Sequence, residues 1–254
     1  MDDYLARIGI DERPHRPDLA TLRRVQRAHL GSVPFENLSI HLGEPVALDD
    51  EGLLDKIVKR RRGGFCYELN GALALLLRDL GYTVTLHSAR TWNGTAFGFP
   101  FDHMVLRTVV DETPWLVDVG FGKFAHHPLR LDTSEPQADP DGVYTVTEAD
   151  GEHVVTGPRE AEYRIDPRPY RLRDFGPTCW YQQTSPRSHF TKGPTCSRVT
   201  ADGGRVTLGG NRLIRTGATG TRAERTLTDD ETMDTYRTEF GIELSRLPAD
   251  PRRA

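Results

Sequence analysis

Apolar residues recur every three to four positions through the first eighty residues, and every second position after that. From residue 18 to 30, Leu19, Leu22, Val25 and Leu30 fall on one side while Arg23, Arg24 and Arg27 take polar positions, with Pro17 just ahead as a start signal. This predicts an amphipathic surface helix. A shorter helical pattern covers 50–58, and a third covers 66–80 on Leu69, Leu73, Leu76, Leu77 and Leu80, with Gly81 as its stop. From Tyr82 the run Tyr-Thr-Val-Thr-Leu-His alternates as a half-buried strand does. Further strands are expected at 103–110, 115–119, 143–147, 153–156 and 180–184, and short strands at this spacing predict an antiparallel barrel or curled sheet. Pro158, Pro167, Pro169 and Pro177 crowd one stretch, so 159–177 is expected to be an irregular crossing connection. Beyond it, Asp202-Gly203-Gly204 marks a hairpin, strands are expected at 205–208, 211–215 and 222–227, and Thr228 with Glu231 forms a capping-box signal for a final helix to Phe240.

Composition narrows the functional classes. A chain of 254 residues can bury a core without covalent staples, and 33 basic against 37 acidic residues leave a mixed net charge of −4. No electrostatic footprint for nucleic acid or an anionic membrane is present. The apolar run near Leu73 to Leu77 is far below the roughly 20 residues of a spanning helix. Three cysteines, at 66, 179 and 196, lack CxxC spacing and follow no N-terminal apolar segment. A disulfide framework is therefore not expected, and a reducing cytoplasm is the expected compartment. The histidines at 126, 127, 153 and 189 have no metal-ligand spacing, so no metal is expected.

Candidate chemistry centres on Cys66, in the run Arg62-Gly63-Gly64-Phe65-Cys66-Tyr67-Glu68-Leu69-Asn70. Two glycines lead straight into an apolar helix, and a helix start favours thiolate, the nucleophilic form. A thiol nucleophile needs a base, and the base an orienting group. His103 opens a predicted strand, and Asp118 lies in the apolar run Trp115-Leu116-Val117-Asp118-Val119-Gly120-Phe121-Gly122, where a carboxylate needs a partner. Two neighbouring strands joined by the turn at Asp111-Glu112-Thr113-Pro114 would let His103 and Asp118 face one another across the ladder. Cys66 is thus expected to be the nucleophile, His103 its base and Asp118 the group that sets the imidazole tautomer.

The run around Cys66 resembles the signature of the arylamine N-acetyltransferases. Val33-Pro34-Phe35-Glu36-Asn37-Leu38, Val117-Asp118-Val119-Gly120-Phe121-Gly122 and the segment from Phe190-Thr191 to Cys196-Ser197-Arg198 resemble other segments of that family in the same order. The resemblance implies an α+β fold: a helical domain over 1–81 carrying the cysteine, a β-barrel domain over 82–185 carrying His and Asp, and a C-terminal α/β lid over 186–254. It implies ping-pong acetyl transfer from acetyl-CoA through acetyl-Cys66 to an arylamine, hydrazine or arylhydroxylamine. Phe35, Phe121 and Phe190 match positions that line the acceptor pocket. The loop 92–100 matches the family's CoA-bordering loop, which makes the backbone at Gly94 and Gly98 candidates for the pyrophosphate. Asp102, just before His103, departs from the small or hydroxyl residue that many members carry there. The same triad also serves amide synthases that close macrolactams from polyketide chains, the alternative reading; a papain-like peptidase and a non-enzymatic binding module fit the motifs less well.

Overall fold

Side-chain caps place the helix starts that the periodicity predicts. Asp18 accepts the Thr21 N–H, Asp49 accepts that of Gly52, and Thr228 and Glu231 close a reciprocal capping box. The computed structural model describes residues 1–253, so the last residue of the expected lid lies outside the described residues. Its helices are α1 (Asp2–Arg7), α2 (Leu19–Ser32), α3 (Leu38–Leu42), α4 (Asp50–Leu54), α5 (Cys66–Asp79), α6 (Gly176–Thr184) and α7 (Asp229–Phe240). A π-helical turn, Asp55–Lys59, continues α4. Gly81 takes φ +95° just past α5, the left-handed conformation that ends a helix without a Cβ penalty. None of the helices among the described residues is long and apolar enough to cross a membrane.

The strands are β1 (Phe35–Glu36), β2 (Val84–Thr91), β3 (His103–Val110), β4 (Thr113–Val117), β5 (Leu129–Arg130), β6 (Gln137–Asp139), β7 (Gly142–Ala149), β8 (Glu152–Thr156) and β9 (Ala161–Tyr170). The lid adds β10 (Thr195–Val199), β11 (Arg205–Gly209), β12 (Arg212–Thr216) and β13 (Arg222–Thr226). Strands β2 to β9 form an eight-stranded antiparallel sheet in the order β5-β4-β3-β2-β9-β8-β7-β6. It curls almost into a closed barrel. The Gln137 side chain on β6 joins the far edge by accepting from Arg130 N at 2.7 Å and donating to Arg130 O at 3.0 Å. A second, five-stranded sheet runs β1-β10-β11-β12-β13, so the short strand at Phe35 is tied to the lid rather than to the barrel.

Three apolar clusters fill this architecture. One packs the helices against one face of β2–β4, through residues such as Leu69, Leu73, Met104 and Val117. The second fills the barrel with Val105, Leu116, Phe124, Tyr144 and Tyr163, and the third joins α3, α7 and the lid sheet through Leu42, Val206 and Tyr236. Because side chains alternate along a strand, β3 feeds the first cluster with Met104 and the second with Val105. His103 shares the parity of Val105, and Asp118 that of Leu116. Both therefore belong to the barrel-interior face, at the same open end.

Two expectations fail. Residues 159–177 contain β9, a central strand, because Pro167 and Pro169 lie beyond the last residue that β8 pairs with, Ile165; there only β2 is alongside, with a register shift between His87 and Ala89. Residues 180–184 are helical, not extended. Pro177 in the first turn of α6 starts that helix, and the buried Cys179 and Gln182 hold one side of it against the protein.

Candidate active site

The residues ahead of α5 explain the glycine pair. A Cβ on Gly63 would sit 1.9 Å from Pro34 O, and one on Gly64 2.7 Å from the Glu68 side chain. Glycine is required here for close approach, not for an unusual φ. The Glu36 N–H donates to Gly64 O at 2.8 Å, and Glu68 Oε2 accepts the Phe65 N–H at 3.2 Å, so Cys66 is delivered at the first helical position on a backbone clamped from both sides. Below this start, Lys56 Nζ meets Glu68 Oε1 at 2.6 Å and Arg62 Nη2 meets Glu36 Oε1 at 2.9 Å, all four side chains buried. Arg62 Nη1 also reaches Glu44 Oε2 at 3.1 Å, so its guanidinium bridges two carboxylates.

The barrel supplies the other two groups. His103 Nε2 lies 2.7 Å from Asp118 Oδ2. The two do not stand directly opposite: the β3–β4 ladder pairs Leu106 with Val117 and stops, and its continuation would set Asp118 against Val105. They meet on the diagonal, two residues apart on the interior face. Asp118 is 1 % exposed and all its acceptor capacity is met, since Tyr163 Oη donates to Oδ2 at 3.1 Å while Asn70 Nδ2 and Gly120 N each donate to Oδ1 at 2.8 Å. With Nε2–H committed to the carboxylate, the neutral imidazole keeps its lone pair on Nδ1.

Asn70 and Tyr163 are the site residues that pattern reading missed. Asn70 lies four residues after Cys66, hence on the same helix face, in an otherwise Leu- and Ala-rich stripe. Its amide also donates to Met104 O at 2.6 Å and accepts from Val119 N at 2.9 Å, so one side chain ties the cysteine helix to both strands. A buried polar residue in an apolar stripe was the available signal. Tyr163 carried none, because its strand was expected to be irregular. Gly120 completes the docking: a Cβ there would lie 2.6 Å from Cys66 Cα.

Cys66, His103, Gly120, Phe35, Phe121 and Phe190 line one cleft of about 390 Å³, with Thr91, Trp92, Asn93, Asp102 and His189 completing its wall. Phe190 is pinned through its carbonyl, which accepts from Asn37 Nδ2 at 2.8 Å and is 3.0 Å from His41 Nε2. Gly98 N donates to Thr91 O at 2.8 Å, and a Cβ at Gly98 would lie 2.6 Å from Asp102 Oδ2, while Gly94 takes φ +93° with open space around it. Cys66 is 3 % exposed, and that burial pushes its thiol well up, against the Met104 backbone N–H that favours the thiolate. A helix start alone does not ionise this thiol; a proton acceptor beside it is needed. Cys179 and Cys196 are also free and buried, and Cys179 is pushed up to about 12.

A helical layer carrying a thiol, docked on a barrel end carrying an imidazole–carboxylate pair beside an aromatic cleft, is equipped for thiol-dependent acyl chemistry. Comparison with known proteins specifies it. The model of a family described as N-acetyltransferase matches residues 18–248. The chain is 39 % identical to an arylamine N-acetyltransferase of Mycolicibacterium smegmatis, over 97 % of this chain and 93 % of that one. The solved M. smegmatis arylamine N-acetyltransferase superimposes with a TM-score of 0.87 at 35 % identity, over 95 % and 92 % of the two chains. The Mycobacterium marinum arylamine N-acetyltransferase in complex with CoA gives 0.85 at 34 % identity, over 94 % and 92 %. This protein belongs to the N-acetyltransferase family. The macrolactam-closing alternative is not favoured by these relatives.

Proposed function

We propose that the protein transfers an acetyl group from acetyl-CoA, through an acetyl-Cys66 intermediate, to the nitrogen of an arylamine, hydrazine or arylhydroxylamine. His103 Nδ1 takes the Cys66 proton, and Asp118 stabilises the resulting imidazolium. The thiolate adds to the acetyl carbon, the C–S bond to CoA breaks, and the departing sulfur takes the proton from His103. The acceptor nitrogen then attacks acetyl-Cys66, loses its proton to His103, and expels the Cys66 thiolate. Backbone N–H groups at the start of α5 face the developing oxyanion. Phe35, Phe121 and Phe190 hold the aryl ring, and the Gly94 amide is the better of the two loop candidates for a donor phosphate, because that of Gly98 is already used.

The observation that carries this reading is the commitment of His103 Nε2 to Asp118 in the same cleft as Cys66 and three phenylalanines. Thioester exchange between two thiols is nearly isoenergetic, which suits a cysteine to a CoA donor. Incubation with acetyl-CoA should add one acetyl group by intact mass, and an arylamine should remove it. Absence of the adduct, or its persistence in Cys66→Ala, would overturn the proposal.

A further inference from the structure

The cleft carries one charge that the transfer chemistry does not use. Asp102 is half-buried in its wall, next in sequence to His103. Its Oδ1 accepts from Gln182 Nε2 at 2.9 Å and its Oδ2 from the Thr91 hydroxyl. Gln182 Oε1 in turn accepts from Ser188 Oγ at 2.6 Å, and Ser188 Oγ accepts the Phe190 N–H at 3.2 Å, so the carboxylate is held rigidly by a chain that ends on an aromatic wall residue. Both immediate partners are neutral. Among the described residues, no lysine, arginine or histidine nitrogen lies within ion-pair distance of Asp102, and no lysine or arginine lines the cleft. Each carboxylate oxygen keeps a free lone pair.

A fixed carboxylate with no ionic partner, in the wall of a cleft lined by three phenylalanines, acts on any charged group that shares the cleft. We infer that Asp102 is a specificity-determining residue that sets the charge of the acceptor: the cleft favours arylamines and arylhydrazines bearing a cationic or hydrogen-bond-donating substituent and rejects those bearing a carboxylate or sulfonate. The kinetic form of this inference rests on the acetyl-transfer reading above, whereas its binding form does not. A purely structural Asp102, tethering its loop to α6, would affect all acceptors alike. A charge filter separates them by sign.

The experiment compares aniline, 4-aminobenzoate and 4-aminobenzyltrimethylammonium as acceptors with acetyl-CoA. Wild-type protein is expected to prefer the cation over the anion by about tenfold or more in kcat/KM, a preference that shrinks in high salt. Asp102→Asn, which keeps the size and most of the hydrogen bonding, should lower that cation-to-anion ratio about tenfold whatever it does to the absolute rates. The same three amines are then tested, without acetyl-CoA, for protection of wild-type Cys66 against iodoacetamide at low and high salt. The cation should protect at lower concentration than the anion, and salt should narrow the gap. Equal protection by anion and cation, or an unchanged ratio in Asp102→Asn, overturns the inference. Loss of Cys66 acetylation with the protection pattern intact overturns the transfer reading and leaves the charge filter standing.

Discussion

Two buried polar clusters lie beneath the same cleft, and they are built on opposite principles. Under the start of α5, Glu36 and Glu68 face Arg62 and Lys56, and the half-buried Glu44 accepts a further bond from Arg62. At the barrel mouth, a single carboxylate, Asp118, is surrounded by His103, Tyr163, Asn70 and the Gly120 amide, with no Lys or Arg among its partners. In the first arrangement each buried carboxylate faces a permanent cation, and the cluster clamps the backbone ahead of Cys66. In the second, neutral donors satisfy the carboxylate without cancelling its charge, which remains available to stabilise an imidazolium. An arginine at the position of Asn70 would hold Asp118 as firmly and remove that ability. Burial is shared by both clusters; what separates them is whether the counter-charge is permanent or appears only when a proton moves.

Substitutions that trade one property for the other test this contrast. Asp118→Asn should have the largest effect, slowing Cys66 acetylation by about 10³- to 10⁴-fold, because an amide turned toward His103 Nε2 moves the ring proton to Nδ1 and removes the base. Since burial pushes the Cys66 thiol up and no imidazolium would then hold the thiolate, iodoacetamide alkylation in that variant should rise only at alkaline pH. A wild-type profile near neutrality would remove Asp118 from the mechanism. Arg62→Met comes next, with a loss of about 3–5 kcal/mol from stranding Glu36. The sign with pH follows from Glu36, held low by Lys56 and Arg62 against the opposing pull of burial. Its ion-pair contribution is complete above the ordinary carboxylate range and fades as the pH falls through its depressed folded value. Thermal melts of the variant should therefore lie closest to wild type in acid. The smallest expected change is Gly120→Ala, about 1–3 kcal/mol, as the new Cβ forces the Asp118 segment away from Cys66. Its diagnostic is acetylation slowed by more than the stability loss accounts for; unaltered acetylation would show that this close packing is not what aligns the groups.

Much of this was readable from the chain. The helix start after Pro17, the capping box at Thr228, the glycine stop at Gly81 and the strand at His103–Val110 all follow from local rules, because each depends on residues a few positions apart. The failures have local causes too. Pro167 and Pro169 look incompatible with a central strand until it is seen that β8 has already ended alongside them. The aromatic residues of 180–184 suggest a strand until Pro177 is given its helix-starting role. The family resemblance pointed to the three phenylalanines, and the structure brings them to the cleft that holds Cys66. It could not supply Tyr163, whose role depends on a strand arriving from another part of the barrel.

By itself the sequence determined the residue types of the site and the elements that carry them: a cysteine at a helix start, a histidine opening a strand, an aspartate in an apolar run. These depend on propensity, capping and alternation, which act over a few residues. Only the tertiary structure decided that His103 and Asp118 meet on a diagonal past the end of their ladder, that Asn70 stitches helix to barrel, and that burial raises the Cys66 thiol against the helix start. Those outcomes depend on desolvation and on contacts between residues up to about fifty positions apart, such as Asn70 and Asp118 with a separation of 48. No local pattern encodes either quantity, because both come into being only when the helical layer and the barrel close on one another.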